Sequence, residues 1–296
     1  MSEIWSNTDF PYMCLKDTVR TQAFREAIQR VVRPGDVVVD AGAGTGILSF
    51  FAAEAGAGRV LAVEIDPLLA ARLRTSIERN GLASTITVVE GDIREVSLPP
   101  GVDVVIAEII ETGLMDELQA DAIATLFASG VIASHTTVIP ASYTTCLDLV
   151  SVNDIYYGFS IAAPKHEWPF YNDPGSHWHA TPVSSLTDRV AAADITFHDR
   201  IAAAVDTTVV LTGLRDGLAN GIRVSGRLHL TDEIELGATN ALNGDKIIDL
   251  NVPIAVHAGQ SIPLRVRYRL GGGLGSFVAT PANAPESLAP PLAPHR

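Results

Sequence analysis

Val38-Val39-Asp40-Ala41-Gly42-Ala43-Gly44-Thr45-Gly46-Ile47-Leu48 carries the chain from a strand into a helix. Val37 to Val39 is a short apolar run bounded by turn residues, the pattern of a buried strand. Ile47 to Ala55 reads as a helix. The glycines between them let the backbone approach a ligand closely. A dinucleotide fingerprint GxGxxG would need its third glycine where Ile47 stands. The spacing here is GxGxG, with Asp40 two residues before the first glycine.

The same alternation extends on both sides. Val19, Ala23, Phe24, Ala27, Ile28, Val31 and Val32 recur at helical spacing over 19–32, and Pro34-Gly35 stops the pattern. Further strands are expected at 60–63, 86–89 and 102–106. A helix is expected from Pro67 to Arg79, ended by Asn80-Gly81, and another over 114–127. Strands alternating with helices predict an α/β fold, a doubly wound and mostly parallel sheet covered on both faces. After Pro140 the period falls to two. Ile222, Val224, Leu228 and Leu230 alternate with polar residues, as do Ile262, Leu264, Val266, Tyr268 and Leu270. This predicts antiparallel strands closed as a barrel or sandwich, with Asn220-Gly221 and Asn243-Gly244 supplying turns. The expected organisation is an N-terminal helical lid segment over 1–35, a ligand-binding α/β domain over 36–140, a β-barrel-like substrate domain over 141–277 and a disordered Pro- and Ala-rich tail over 278–296.

The 296 residues include 21 Lys and Arg against 34 Asp and Glu, a net charge of −13. That excludes a nucleic-acid binder working through a basic face, and a polybasic membrane contact. No apolar run approaches a membrane span, the first residues do not suit a signal peptide, and two cysteines give no disulfide framework. A cytoplasmic protein without a metal is expected. The charge is uneven. Residues 1–150 hold 10 bases and 20 acids, and no Lys or Arg occurs between Arg94 and Lys165. Such a stretch needs either solvation or a cation.

Three acids close successive strands. Asp40 precedes the glycine loop, Glu64 follows 24 residues later, and Asp92 ends the third strand. An acid at the position of Glu64 can accept both hydroxyls of a ribose. The GxGxG spacing with Asp40 before it resembles the class I S-adenosylmethionine-dependent methyltransferases, which implies S-adenosyl-L-methionine as cofactor. By that resemblance Asp40 suits its cationic amino group and sulfonium, and Asp92 can reach its adenine amino group. Arg20, Asp40, Gly42, Gly44, Thr45, Gly46, Ile47, Leu48, Glu64, Asp92 and Ile93 are the candidate cofactor contacts.

The resemblance narrows with Leu15-Lys16-Asp17-Thr18-Val19-Arg20-Thr21, with the run from Asp40 to Ala57, and with the loop at 108–117. Together they closely resemble the protein arginine methyltransferase family, which carries a "double-E" loop with two glutamates nine residues apart after the fourth strand. Glu108 and Glu117 have that spacing. Two carboxylates can grip a planar guanidinium bidentately and aim one nitrogen at the donor methyl. They can also stabilise charge as it develops. Glu108 and Glu117 are therefore the expected catalytic pair, whereas Glu111 and Asp116 read as solvated acids compensating a helix dipole. By the same resemblance Arg20 pairs with the cofactor carboxylate. Asp17 would organise the site with a histidine from a Thr-His-Trp loop.

The sequence departs from that pattern in places. Leu242-Asn243-Gly244 stands where Thr-His-Trp is expected, leaving Asn243 as a candidate partner for Asp17. Ser176-His177-Trp178 falls too early. Only Phe10 and Tyr12 are obvious aromatics for a closing helix. The segment near 163–183, where a dimerisation arm would fall, is abbreviated but holds Trp168, Phe170, Tyr171 and Trp178. Arg94 stands where the family has an acid near adenine. The expected function is N-methylation of a guanidino nitrogen of arginine, free, in a small molecule or in a peptide or protein. The alternatives are a small-molecule N- or O-methyltransferase acting on another group, and a non-catalytic cofactor-binding protein. The expected partner is a guanidino or other cationic substrate, and a homodimer is compatible with the family.

Overall fold

The computed structural model describes residues 10–282. Helix α1 (Phe10–Lys16) leads into α2 (Thr18–Val31), whose first turn is capped by Asp17 accepting from the Arg20 N–H. Then follow β1 (Val37–Ala41), α3 (Ile47–Glu54), β2 (Arg59–Glu64), α4 (Pro67–Arg79), β3 (Ile86–Glu90) and β4 (Val104–Ala107). After a single 3-10 turn at Thr112–Leu114 come α5 (Gln119–Ala128) and β5 (Thr137–Ile139). These strands pair in parallel in the order β3-β2-β1-β4-β5. Val38, Val39, Val60, Ala62, Val105 and Ile106 are fully buried, as the apolar runs require of strands covered on both faces. Strand order reverses between β1 and β4. The crevice outside the carboxyl ends of these two strands is where an open α/β sheet binds its ligand.

Pairing switches from parallel to antiparallel between β5 and β6 (Ser142–Val152). The hairpin β7 (Ile155–Tyr156) and β8 (Phe159–Ser160) precedes β9 (Lys165–Glu167), β10 (Val183–Ser185) and β11 (Val190–Thr196). The chain continues through β12 (Ala204–Thr212), β13 (Gly217–His229), β14 (Glu235–Leu236), β15 (Asp245–Val256), β16 (Ser261–Arg269) and β17 (Val278–Pro281). One sheet runs β10-β6-β13-β15-β9, with β11 also on β6, and another runs β12-β16-β17. Tyr143, Val224, Leu264 and Tyr268 lie inward between them, in a core continuous with that of the parallel sheet. The architecture is an α/β unit followed by an antiparallel, barrel-like β unit.

Three expectations change. The helix expected over 114–127 starts only at Gln119, because Gly113 (φ 77°) and Leu114 (φ 54°) turn the chain left-handed. Asn220-Gly221 is not a hairpin turn. It lies inside β13 as a bulge, where the register against β15 shifts between Ala219 and Gly221. The Asn220 amide bonds both the N–H and the carbonyl of Val152, at 2.8 and 3.0 Å. The irregular tail does not begin at 278. Val278–Pro281 pairs with β16, whose edge offers free backbone groups, and Phe277 stacks on Tyr268. The remainder of the expected tail, from 283, lies outside the described residues.

Candidate active site

The site forms where β1, β2, β3 and β4 end. Gly42 (φ 75°), Gly44 (φ 55°) and Gly46 (φ 85°) all adopt the left-handed backbone that favours glycine. A Cβ on Gly46 would lie 2.1 Å from Leu73 Cδ1, so helix α3 can start this close to α4 only with glycine there. Gly42, Gly44, Thr45, Ile47, Leu48, Glu64, Asp92 and Ile93 line one cavity together with Arg20, Glu108 and Glu117. Eleven of the candidate residues are thus brought to one place.

Gly46, Asp40, Asp17 and Asn243 do not line it. Asp40 is buried and accepts from Ser49 Oγ at 2.6 Å, anchoring the first turn of α3. Burial pushes its carboxyl up to about 6. Asp40 therefore supports the loop rather than facing a ligand. Glu64 accepts from the N–H of Gly44 at 2.7 Å and of Asp66 at 2.8 Å. These bonds orient its carboxylate and leave lone pairs on both oxygens. Asp92 is paired with Arg94, whose guanidinium closes on it with Nη2 to Oδ2 at 2.5 Å and holds its carboxyl below the usual range. Arg94 also lines the cavity.

Arg20 reaches the cavity from α2. One of its Nη groups pairs with Glu108, and the other donates to the Cys14 carbonyl at 3.3 Å. Its Nε is buried without a partner. An orphaned cationic donor in the wall fits an anionic ligand group such as a carboxylate. Asp17, expected to meet Asn243, accepts instead from the backbone N–H of Ala241 at 2.8 Å. The Asn243 side chain is engaged elsewhere, with Oδ1 accepting from the buried Tyr143 hydroxyl at 2.9 Å. The two segments do meet, but through main chain, because the left-handed turn at Asn243 (φ 56°) directs its amide into the core.

The loop from Glu108 to Glu117 is fixed from several sides. Gln119, fully buried, accepts from the Ile109 N–H and donates to the Ala107 carbonyl. Thr112 Oγ1 donates to the Gly244 carbonyl at 2.6 Å, and the Gly113 N–H donates to the Tyr143 hydroxyl at 2.8 Å. Glu111 and Asp116, expected to be solvated, both pair with Lys246 of β15, which is only 3% exposed. The carboxylates of Glu108, Glu111 and Asp116 thus each have a cation. Glu117 has no hydrogen-bond or ion-pair partner among the described residues. Burial, reinforced by the charge of Glu111, pushes its carboxyl up to about 8.

Of the lid candidates, Phe10 lines the cavity and Tyr12 is exposed. The abbreviated segment after β8 folds back toward the site. Trp168 lies 4.2 Å from the His166 ring and 6.5 Å from Phe10, and it packs over Gly244. His177 and His179 are exposed, and no group of three possible metal ligands occurs among the described residues. No helix among them is long and apolar enough to cross a membrane. Lys246, Tyr143, Gln119 and His166 were invisible as site residues in the sequence. Each comes from a distant element, and no local spacing marks it.

The family model of ribosomal protein L11 methyltransferase (PrmA) matches residues 19–157. The uncharacterized protein MJ1452 of Methanocaldococcus jannaschii is 29% identical over 268 residues, covering 90% of this chain and 94% of that one. The ribosomal protein arginine N-methyltransferase rmt3 of Schizosaccharomyces pombe is 34% identical over 176 residues, 55% of this chain. That match spans only 32% of rmt3's own length. Among solved structures, the Trypanosoma brucei PRMT1 enzyme-prozyme heterotetrameric complex with AdoHcy matches with a TM-score of 0.72 at 20% identity, over 88% of each chain. That likeness establishes the fold. Over its first half the chain is thus similar to a ribosomal protein methyltransferase model and to an arginine N-methyltransferase, and it shares the fold of the PRMT1 complex subunit.

Proposed function

We propose that the protein transfers a methyl group to a guanidino nitrogen of arginine, free, in a small molecule or in a peptide. The carrying observation is Glu117, a partly buried carboxylate with no ion-pair partner among the described residues, in the same cavity as Glu108 and the glycine loop. An uncompensated acid in such a place selects a cation. The substrate named for rmt3 supports a guanidinium as that cation.

In this reading Gly42, Gly44, Thr45, Ile47, Leu48 and Ile93 cradle the cofactor, and Glu64 accepts its ribose hydroxyls. Arg20 Nε meets its carboxylate, and Asp92, held by Arg94, borders the adenine. S-adenosylmethionine supplies an electrophilic methyl on its sulfonium. Glu117 and the Glu108 oxygen turned away from Arg20 hold the guanidinium so that one nitrogen points at that methyl. As the N–C bond forms, the bond from methyl to sulfur would break with its electron pair returning to sulfur as a neutral thioether, and the attacking nitrogen would give up a proton. Glu117, ionised when it grips the cation, is placed to receive it.

Glu117→Gln and Glu108→Gln should each lower turnover about a hundredfold or more, while cofactor affinity in calorimetry stays within a few fold. Full activity in both variants would remove these roles. Mass spectrometry with labelled cofactor, offering free arginine, small guanidines and arginine-rich peptides side by side, identifies the acceptor. The match to a ribosomal protein L11 methyltransferase model, whose description names no acceptor atom, supports a second reading, transfer to another group of the substrate. Mapping the product methyl separates the two.

A further inference from the structure

We propose that Lys246 is a positioning residue that occupies Glu111 and Asp116, so that Glu117 with Glu108 meets the incoming cation. The inference rests on the reading of a cationic substrate given above. It starts from the geometry of one loop. Glu108, Glu111, Asp116 and Glu117 lie within ten residues that contain no base. Four like charges this close repel, and any of them can attract a cation. The structure sorts them. Lys246 enters from β15, beside His166 of β9 in the strand register, and pairs with Glu111 and Asp116 at once.

Lys246 is nearly inaccessible, whereas the Asp116 side chain keeps 35% of its exposure and borders the cavity. Asp116 is also anchored on its other oxygen by the Leu274 N–H at 3.0 Å. Without Lys246, Asp116 would be an ionised carboxylate next to Glu117, competing for the same cation. The groups facing Glu117 are Glu111, Asp116 and Lys246 on the loop side, and Arg20 and Cys14 from the helices. Those facing Lys246 are Glu111, Asp116 and the imidazole of His166. Burial and the Lys246 charge hold His166 down at about 4, so it stays neutral at physiological pH and does not replace the lysine. Glu111 raises the Glu117 carboxyl, and Lys246 lowers both. The lysine therefore acts on Glu117 in two ways, by fixing Asp116 beside it and by favouring its ionised form.

The test compares the full-length protein with Lys246→Met, Lys246→Arg and Glu111→Gln. Carboxyl carbon NMR follows the Glu117 titration, assigned by its loss in Glu117→Gln, and needs no substrate. Lys246→Met should move the Glu117 midpoint up by about one pH unit and raise KM about tenfold with a smaller change in kcat. Lys246→Arg should return both toward the parent values. Glu111→Gln should move the midpoint down, which keeps the test intact if Lys246→Met does not fold. A Glu117 midpoint unmoved in Lys246→Met, with only a lower melting temperature, overturns the proposal, as does an unmoved midpoint in Glu111→Gln. The titration decides the role of Lys246, and the acceptor screen separately decides the guanidino reading.

Discussion

Glu117 is where a single side chain carries the most consequence. Its carboxyl is pushed up to about 8, and a cation binds its ionised form. kcat/KM should therefore fall as pH falls through about 8, with the limb reporting the free enzyme. A pH–rate profile with any turned-over substrate checks this. A flat profile between pH 6.5 and 9 contradicts it. Glu111, with its own carboxyl raised to about 7 by burial, titrates in the same region. The two midpoints therefore belong to the pair. At the other end of the cavity, Gly46 tests the loop. Gly46→Ala places a methyl against Leu73 and forces a left-handed backbone on a residue with a Cβ. A loss of about 1–3 kcal/mol is expected in chemical denaturation, with weaker cofactor binding.

At the scale of elements, the loop from Glu108 to Glu117 is a hinge between two sheets. It leaves β4 and is tied to the barrel-like unit through Tyr143, Gly244 and Lys246. Tyr143 is central, because its hydroxyl accepts from Gly113 and donates to Asn243 while the ring lies fully buried. Tyr143→Phe preserves the packing but leaves the Gly113 N–H and Asn243 Oδ1 unpaired. A cost of about 1–3 kcal/mol in denaturation is expected, with a lower kcat and nearly unchanged cofactor affinity. An unaffected kcat would mean the tie does not position the glutamates.

The α/β elements were legible because their signals are local. Apolar runs, the glycine loop and the Pro67 and Asn80-Gly81 boundaries all act within a few residues. The cavity acids at strand ends were legible for the same reason. The ties of the loop were not, since Tyr143, Gln119 and Lys246 meet it only after the two sheets pack. Asn220-Gly221 shows the limit of turn chemistry. The dipeptide fits a hairpin, but strand pairing on both sides of β13 turned it into a bulge. Asp40 misled because an acid before a glycine loop can serve the loop itself.

Over the whole molecule, the base-free stretch obtains its cations from outside. Arg20 comes from α2 to Glu108, Lys246 from β15 to Glu111 and Asp116, Arg223 from β13 to Asp148, and Lys165 from β9 to Asp154. Part of the uneven charge of the sequence is thus compensated across the fold, whereas Glu117 is left to burial and to a proton. This fixes how stability responds to pH. Glu111 and Glu117 have raised carboxyls, so at neutral pH the folded state holds protons that the unfolded chain has released. Stability must then fall as pH rises through 7 and 8, at up to about 1.4 kcal/mol per pH unit for each such proton. Below about 6.5 the sign is mixed. Asp40, raised to about 6, favours acid, whereas His166, held at about 4, binds its proton more readily when unfolded. The clean window is therefore pH 6.5 to 8.5. Calorimetry should show the melting temperature declining across it, with a shallower decline in Glu117→Gln. Saturating cationic substrate should flatten the parent's decline, because the bound cation replaces the proton. A melting temperature that rises across this window would show that the site carboxylates are already ionised in the folded protein, and that the loop's charge is balanced without a substrate.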